Sequence, residues 1–183
     1  MVDIKQRIIE HEEVCKKLDV TAIAKLGEAI SNCYNNHGKL LICGNGGSAA
    51  DSQHFAAELV GRFIKERRAL PAIALTANSS NLTAIGNDFG FDKVFERQVE
   101  GLGKKEDLLV VISTSGNSEN LVKAVKKAQE IGMDTIALLG KNGGKLKGMC
   151  KNEIIVPSGD TQRIQEMHIF IIHLLCELIE EAN

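Results

Sequence analysis

Five short apolar blocks punctuate the chain: KLLIC at 39–43, LPAIAL at 70–75, DLLVVIS at 107–113, DTIALL at 134–139 and NEIIVP at 152–157. Each is continuous rather than alternating, the pattern of a strand covered on both faces. Around them the apolar positions recur at helical spacing. One long helix is predicted from about 3 to 34, with Ile8, Val14, Ile23, Leu26 and Ile30 along one side, and a second from about 160 to 182. Shorter helices are predicted near 48–62, 79–87, 92–101 and 118–131. Strands that alternate with helices build a parallel sheet with right-handed crossovers. The expected fold is α/β, a three-layer α-β-α sandwich around a five-stranded parallel sheet. Ligands of such sheets bind beyond the carboxyl ends of the strands. The turns that follow the strands are therefore where chemistry is to be sought.

Composition narrows this picture. A chain of 183 residues with 44% apolar and 25% charged residues builds one core of ordinary size. No repeat or linker interrupts it, and the two prolines, Pro71 and Pro157, sit at strand edges, so a single domain over 1–183 is expected. With no Trp and one Tyr the interior must be aliphatic. The 22 basic and 24 acidic residues give a net charge of −2 without a basic stripe, which argues against nucleic acid as a ligand. Five cysteines without Cys-x-x-Cys spacing read as reduced core thiols of a cytoplasmic protein and not as a cysteine zinc site. The opening MVDIKQRIIEHEEV is charged throughout and has no signal-peptide character. The apolar run IFIIHLLCELI is too short to span a bilayer, so no membrane association is expected.

Two turns carry candidate chemistry. Gly44-Asn-Gly-Gly-Ser-Ala49 satisfies G-x-G-x-x-A between a strand and a helix. A dinucleotide fold also needs an acidic residue at the end of the second strand, where LPAIALTANSS offers hydroxyls and amides. Two readings stay open: a tight turn capped by Ser48, or backbone N–H groups offered to the oxygens of a sugar or phosphate. The other turn, Ser113-Thr-Ser-Gly-Asn-Ser118, crowds Ser113, Thr114, Ser115 and Ser118 around one glycine just before a helix. Hydroxyls and helix N-terminal amides together coordinate a phosphate dianion without a lysine. An ordinary turn needs only one or two such residues, so phosphate binding is the stronger reading.

Two helices add titratable groups. His54 and Glu58 lie four residues apart, on one helix face, at a spacing compatible with zinc. In IQEMHIFIIHLLCELI the polar residues Gln165, Glu166, His168 and His173 interrupt an apolar run. A histidine there is more often a satisfied core residue than a catalyst. Gln165 and His173 stand about 12 Å apart along the axis. One ion held by both needs full side-chain reach or a neighbouring subunit.

The segments CGNGGSAADSQHFAAELVGRF, LTAIGNDFGFDKVFERQV, VVISTSGNSENLVKA and TQRIQEMHIFIIHLLCELIE, in this order and spacing, resemble the phosphoheptose isomerases of the SIS (sugar isomerase) family over nearly the whole chain. The resemblance implies an aldose–ketose isomerase that converts sedoheptulose 7-phosphate to an aldoheptose 7-phosphate through an enediol, for heptose in bacterial surface glycans such as lipopolysaccharide. It implies a homotetramer with packed terminal helices and active sites at subunit interfaces, and one zinc per subunit bound by His54, Glu58, Gln165 and His173. Phosphate would be held by Ser48, Ser113, Thr114, Ser115 and Ser118. The sugar would be contacted by Asn45, Gly46, Gly47, Glu58, Asn87, Asp88 and Gln165. Glu58 and His173 are the candidate base and acid. Without the resemblance, Asn87-Asp88 is a plain helix-end turn, and Arg62, Arg97 and Gln98 are interface or solvated residues. The alternative function is a non-catalytic adaptor of the same fold that binds the bacterial replication initiator. Such relatives lack the glutamate and histidine present here at 58 and 173.

Overall fold

A computed structural model of the chain describes residues 2–182. The long first helix expected from the apolar pattern is two helices, α1 (Ile4–Lys16) and α2 (Val20–Asn35). The cause is local. The Asp19 carboxylate accepts the Ala22 N–H at 3.0 Å, which starts a new helix, while Leu18 keeps an apolar contact with the core across the break. The periodicity therefore runs on through a turn that it does not reveal.

Thereafter the chain runs through β1 (Leu40–Gly44), α3 (Gly47–Val60), β2 (Ala72–Ala74), α4 (Ser79–Phe89), α5 (Glu96–Leu102) and β3 (Leu108–Ser113). It continues through α6 (Glu119–Ile131), β4 (Asp134–Gly140), β5 (Asn152–Val156) and α7 (Thr161–Ala182). All five strands pair in parallel in the order β2-β1-β3-β4-β5, with Ile42 opposite Val110 and Val110 opposite Ile136. Successive strand residues face opposite ways. Leu40, Ile42, Leu108, Val110, Ile112, Ile136 and Leu138 pack under α2, α3 and α7, whereas Leu41, Leu109, Val111, Ala137 and Leu139 pack under α5 and α6. This is the expected three-layer sandwich, and the double coverage explains the continuous apolar strands.

The strand order reverses direction once. From β1 the chain moves through α3 to β2 on one flank, then returns past β1 to β3 on the other. The carboxyl ends of β1 and β3 therefore flank the crevice where ligands of open parallel sheets bind. Both candidate turns leave from those two ends.

Gln98, expected to be solvated or at an interface, is buried, and its amide donates to the Leu75 and Val94 carbonyls at 2.9 Å each. Arg97 lies over the Phe89 ring, 4.1 Å from its centroid. α1 buries no residue. It docks on α7 through His11 Nδ1 and Glu166, 2.8 Å apart, and through Arg163 donating to the Arg7 carbonyl. Ile4, Ile8 and Ile9 are left exposed. Among the described residues no helix is long and apolar enough to cross a membrane.

Removing the cap by Asp19→Ala should lower the unfolding free energy by about 1 kcal/mol. Urea denaturation followed by circular dichroism checks this; an unchanged midpoint would mean that packing alone sets the α1–α2 break.

Candidate functional site

At the carboxyl end of β3 the chain turns through Thr114–Ser118 into α6. Gly116 takes φ +65°, and a Cβ there would strike the Gly143 carbonyl. A glycine-rich loop at 142–146 braces the turn from outside: Leu146 N–H donates to the Gly116 carbonyl, and Lys145 N–H to the Asn117 side chain. Within the turn the Ser113 hydroxyl accepts the Gly116 N–H at 3.0 Å and the Ser115 hydroxyl accepts the Asn117 N–H at 3.2 Å. A hydroxyl that accepts still has its own proton to donate. Ser118 is the N-cap residue of α6, but its hydroxyl makes no capping bond. The turn thus offers O–H donors beside a helix N-terminus, a combination suited to an acceptor-only dianion.

The neighbouring turn after β1 is tied to this one. Asn45 and Asn120 exchange reciprocal amide hydrogen bonds of 3.0 and 2.9 Å. Gly46, not Ser48, is the N-cap residue of α3, and no side chain caps that helix. Ser48 is buried in the first turn, against Gly44. Gly47 meets the Gln165 side-chain amide so closely that a Cβ would collide with it. The start of α7 is thereby seated on the start of α3.

Further along the same two helices, His54, Glu58 and His173 meet. His54 Nε2 is 3.1 Å from Glu58 Oε1 and 3.3 Å from His173 Nε2. The His173 ring also packs on Phe63, with centroids 5.4 Å apart. His168, four residues from Ile172 on the sheet side, is the core histidine the apolar run suggested: fully buried and bonded to the Leu139 carbonyl at 3.0 Å. Burial drives its pKa down to about 4, only partly opposed by that bond, so it stays neutral. Of the two histidines on α7, one is structural and the other meets His54, the partner of Glu58.

One chain does not gather every expected residue. Gln165 sits beside Gly47, about 12 Å along α7 from His173. Asn87 and Asp88 are exposed at the end of α4, bonded to each other at 2.8 Å. The His54 side chain is 44% exposed, so the histidine–glutamate cluster lies on an open surface. A cleft of about 290 Å³ lined by Asn32, Asn36, Lys105 and Asp134 opens at the opposite, amino-terminal ends of the strands.

Among the described residues no three His, Cys, Asp or Glu side chains form a ready metal cage. Two parts of one are present, however. Ligands of a tetrahedral zinc at about 2.0–2.1 Å stand about 3.3 Å apart, close to the two separations measured from His54 Nε2. His54 thus stands at zinc-ligand spacing from Glu58 and from His173 in turn, and closing a cage needs those two brought together and a further donor.

The SIS domain family profile matches residues 6–140. Phosphoheptose isomerase 1 of Campylobacter jejuni is 55% identical over 97% of this chain and 93% of its own length. The fold superimposes on the phosphoheptose isomerase structures of Neisseria gonorrhoeae and Francisella tularensis with TM-scores of 0.89. These are 46% and 44% identical, covering 98% and 94% of this chain and 100% and 92% of those chains. The chain belongs to the SIS-domain family, among the phosphoheptose isomerases.

Three residues of this SIS domain that matter to the site were not singled out in the sequence. Asn120 locks the two turns together. Arg67 and Glu180 form an ion pair behind the histidine–glutamate cluster, Nε to Oε1 3.1 Å, with side chains only 6% and 2% exposed. Glu180 also accepts the N–H groups of Phe63, Ile64 and Lys65, each at 2.9 Å. Burial alone would raise the Glu180 pKa; the three N–H donors and Arg67 outweigh it and hold the carboxyl at about 2, against an ordinary value of 4.5. A folded-state pKa below the unfolded one adds stability that is complete above the unfolded value and lost as pH falls through the folded one.

Glu180→Gln should therefore lower the urea midpoint most at neutral pH, with the gap from the parent closing between pH 4.5 and 2. Unfolding curves across that range check it; a gap independent of pH would mean that the ionised carboxylate is not what stabilises the fold here.

Proposed function

We propose that this SIS-domain chain isomerises sedoheptulose 7-phosphate to an aldoheptose 7-phosphate, with Glu58 and His173 as base and acid. The observation that carries the reading is its full-length likeness to phosphoheptose isomerases. The geometry supplies the chemistry. The Ser113–Ser118 turn, with Ser48, holds the phosphate by hydroxyls and the α6 N-terminus, which fixes the far end of the sugar. Ten residues separate Ser48 from Glu58, about 15 Å along α3, so the sugar lies along this helix with its carbonyl end toward His54, Glu58 and His173. Asn45, Gly46 and Gly47 meet the hydroxyls on the way.

Isomerisation moves one proton from C1 to C2 and one between the two oxygens. Glu58 takes the C1 proton as a carboxylate and returns it to C2 of the enediol. His173 gives a proton to the C2 oxygen and takes one from the C1 oxygen, a task suited to an imidazole, whose ring nitrogens both donate and accept. Zinc, held by His54, Glu58 and His173, would polarise the carbonyl as a Lewis acid. Gln165, Asn87 and Asp88 complete the site from a neighbouring subunit of a homotetramer. Support for that assembly comes from the position of Gln165 away from His173, the exposed end of α4 and the bare apolar side of α1. All five thiols are unpaired, in keeping with a cytoplasmic enzyme. The phosphoheptose isomerases compared above give the adaptor alternative no support, and this chain carries the glutamate and histidine assigned here as base and acid.

Incubation with sedoheptulose 7-phosphate should yield an aldoheptose phosphate, and Glu58→Gln or His173→Ala should reduce turnover by at least about 100-fold without changing the oligomer mass. Turnover that survives both substitutions would remove the acid–base assignment.

Protein purified without chelators should contain zinc, and His54→Ala should lose it, as read by elemental analysis. Equal zinc content in parent and variant would place the metal elsewhere.

A further inference from the structure

Glu180 lies seven residues beyond His173 on α7, two turns away and on nearly the same face. Its partner Arg67 reaches back to the other helix of the site. The Arg67 guanidinium donates to the Glu58 carbonyl at 2.8 Å, to the Leu59 carbonyl at 2.9 Å and to its neighbour's Arg68 carbonyl at 3.0 Å. The carbonyls of 58 and 59 belong to the last turn of α3, where helical partners run out and a cation is favoured. One buried ion pair thus joins the end of the helix that carries His54 and Glu58 to the helix that carries His173. Glu180 also gathers the three N–H groups of the segment that leaves α3, and this segment lays Phe63 against the His173 ring.

We propose that Arg67 and Glu180 are positioning residues for the reaction: their ion pair sets the approach of α3 to α7, and with it the placing of the His173 imidazole relative to His54 and Glu58. Neither side chain touches the substrate. The pair acts through the backbone of Glu58 and through Phe63. A buried pair costs desolvation at both partners. Here its contacts end on the last turn of α3, on the segment 63–65 that follows it and on the Arg68 carbonyl. The inference rests on the assignment of Glu58 and His173 as base and acid.

The test compares Glu180→Gln, Arg67→Lys and Phe63→Leu with Asp107→Asn. Asp107 is a buried carboxylate at the opposite end of the sheet that accepts the Lys39 and Lys104 N–H groups. Thermal unfolding, kcat and KM for sedoheptulose 7-phosphate, and the imidazole NMR signals of His54 and His173 without substrate are recorded where each variant is fully folded. Glu180→Gln and Arg67→Lys should lower kcat by about tenfold or more while KM stays within about twofold, because a displacement of the reacting groups acts on the chemical step. Both should shift the His173 signal, and so should Phe63→Leu, which removes the ring without touching the ion pair. Asp107→Asn should lower the thermal midpoint and leave kcat and the imidazole signals as in the parent. If Glu180→Gln does not fold, Arg67→Lys and Phe63→Leu decide. Variants that are less stable but keep the parental kcat and His173 signal overturn the proposal and leave the pair a purely structural one. A parent protein that does not turn over the sugar phosphate defeats the isomerase reading alone, since the substrate-free signals still decide whether the pair sets the histidine.

Discussion

A parallel sheet buried on both faces can be entered only from its ends, and this protein depends on that constraint. Strands made of unbroken apolar residues need helices on both sides, and the chain covers both by reversing its winding between β1 and β3. The reversal leaves two strand ends side by side with nothing closing over them. The glycine turn and the serine turn both lie there, and the Asn45–Asn120 amide pair fixes one to the other. Without the double coverage there would be no crevice for the hydroxyls of 113–118 to line.

From that crevice α3 acts as a ruler. Its amino end lies against the serine turn and the Gln165 amide, and its later turns carry His54 and Glu58. The chemistry divides along this length. O–H and N–H donors stand at one end, for a group that can only accept. Two imidazoles and a carboxylate stand at the other, groups that can both give and take protons. α7 runs beside α3 and matches it twice, at Gln165 and at His173. The buried Arg67–Glu180 pair ties the two helices together beyond the histidine–glutamate cluster. The same helices leave the apolar side chains Ile4, Ile8 and Ile9 of α1 uncovered.

Much of this was legible in residue order. Five strands were recognisable to within a residue or two because two-sided burial demands unbroken apolar runs, and His54 with Glu58 follow from helical spacing alone. The break at Asp19 was not, because a single capping bond ends a helix without disturbing the apolar period on either side of it. Gln98 looked like a surface residue because its two carbonyl partners belong to other turns of the chain. His168 and His173 occupy the same apolar run, and only the packing of α7 sends one to the Leu139 carbonyl and the other to Glu58's neighbour His54.

The sequence by itself determined the layers, the parallel sheet, the hydroxyl-rich turn at 113–118 and the likeness to phosphoheptose isomerases, because each of these is written in neighbouring residues. The tertiary structure decided that His173 meets His54 across 119 positions, that Asn45 locks to Asn120 across 75, and that Arg67 reaches Glu180 across 113. Contacts of that span depend on how helices settle on a sheet. Local pattern carries no record of them, since the energy that selects such pairs comes from burying groups that only the finished fold brings together.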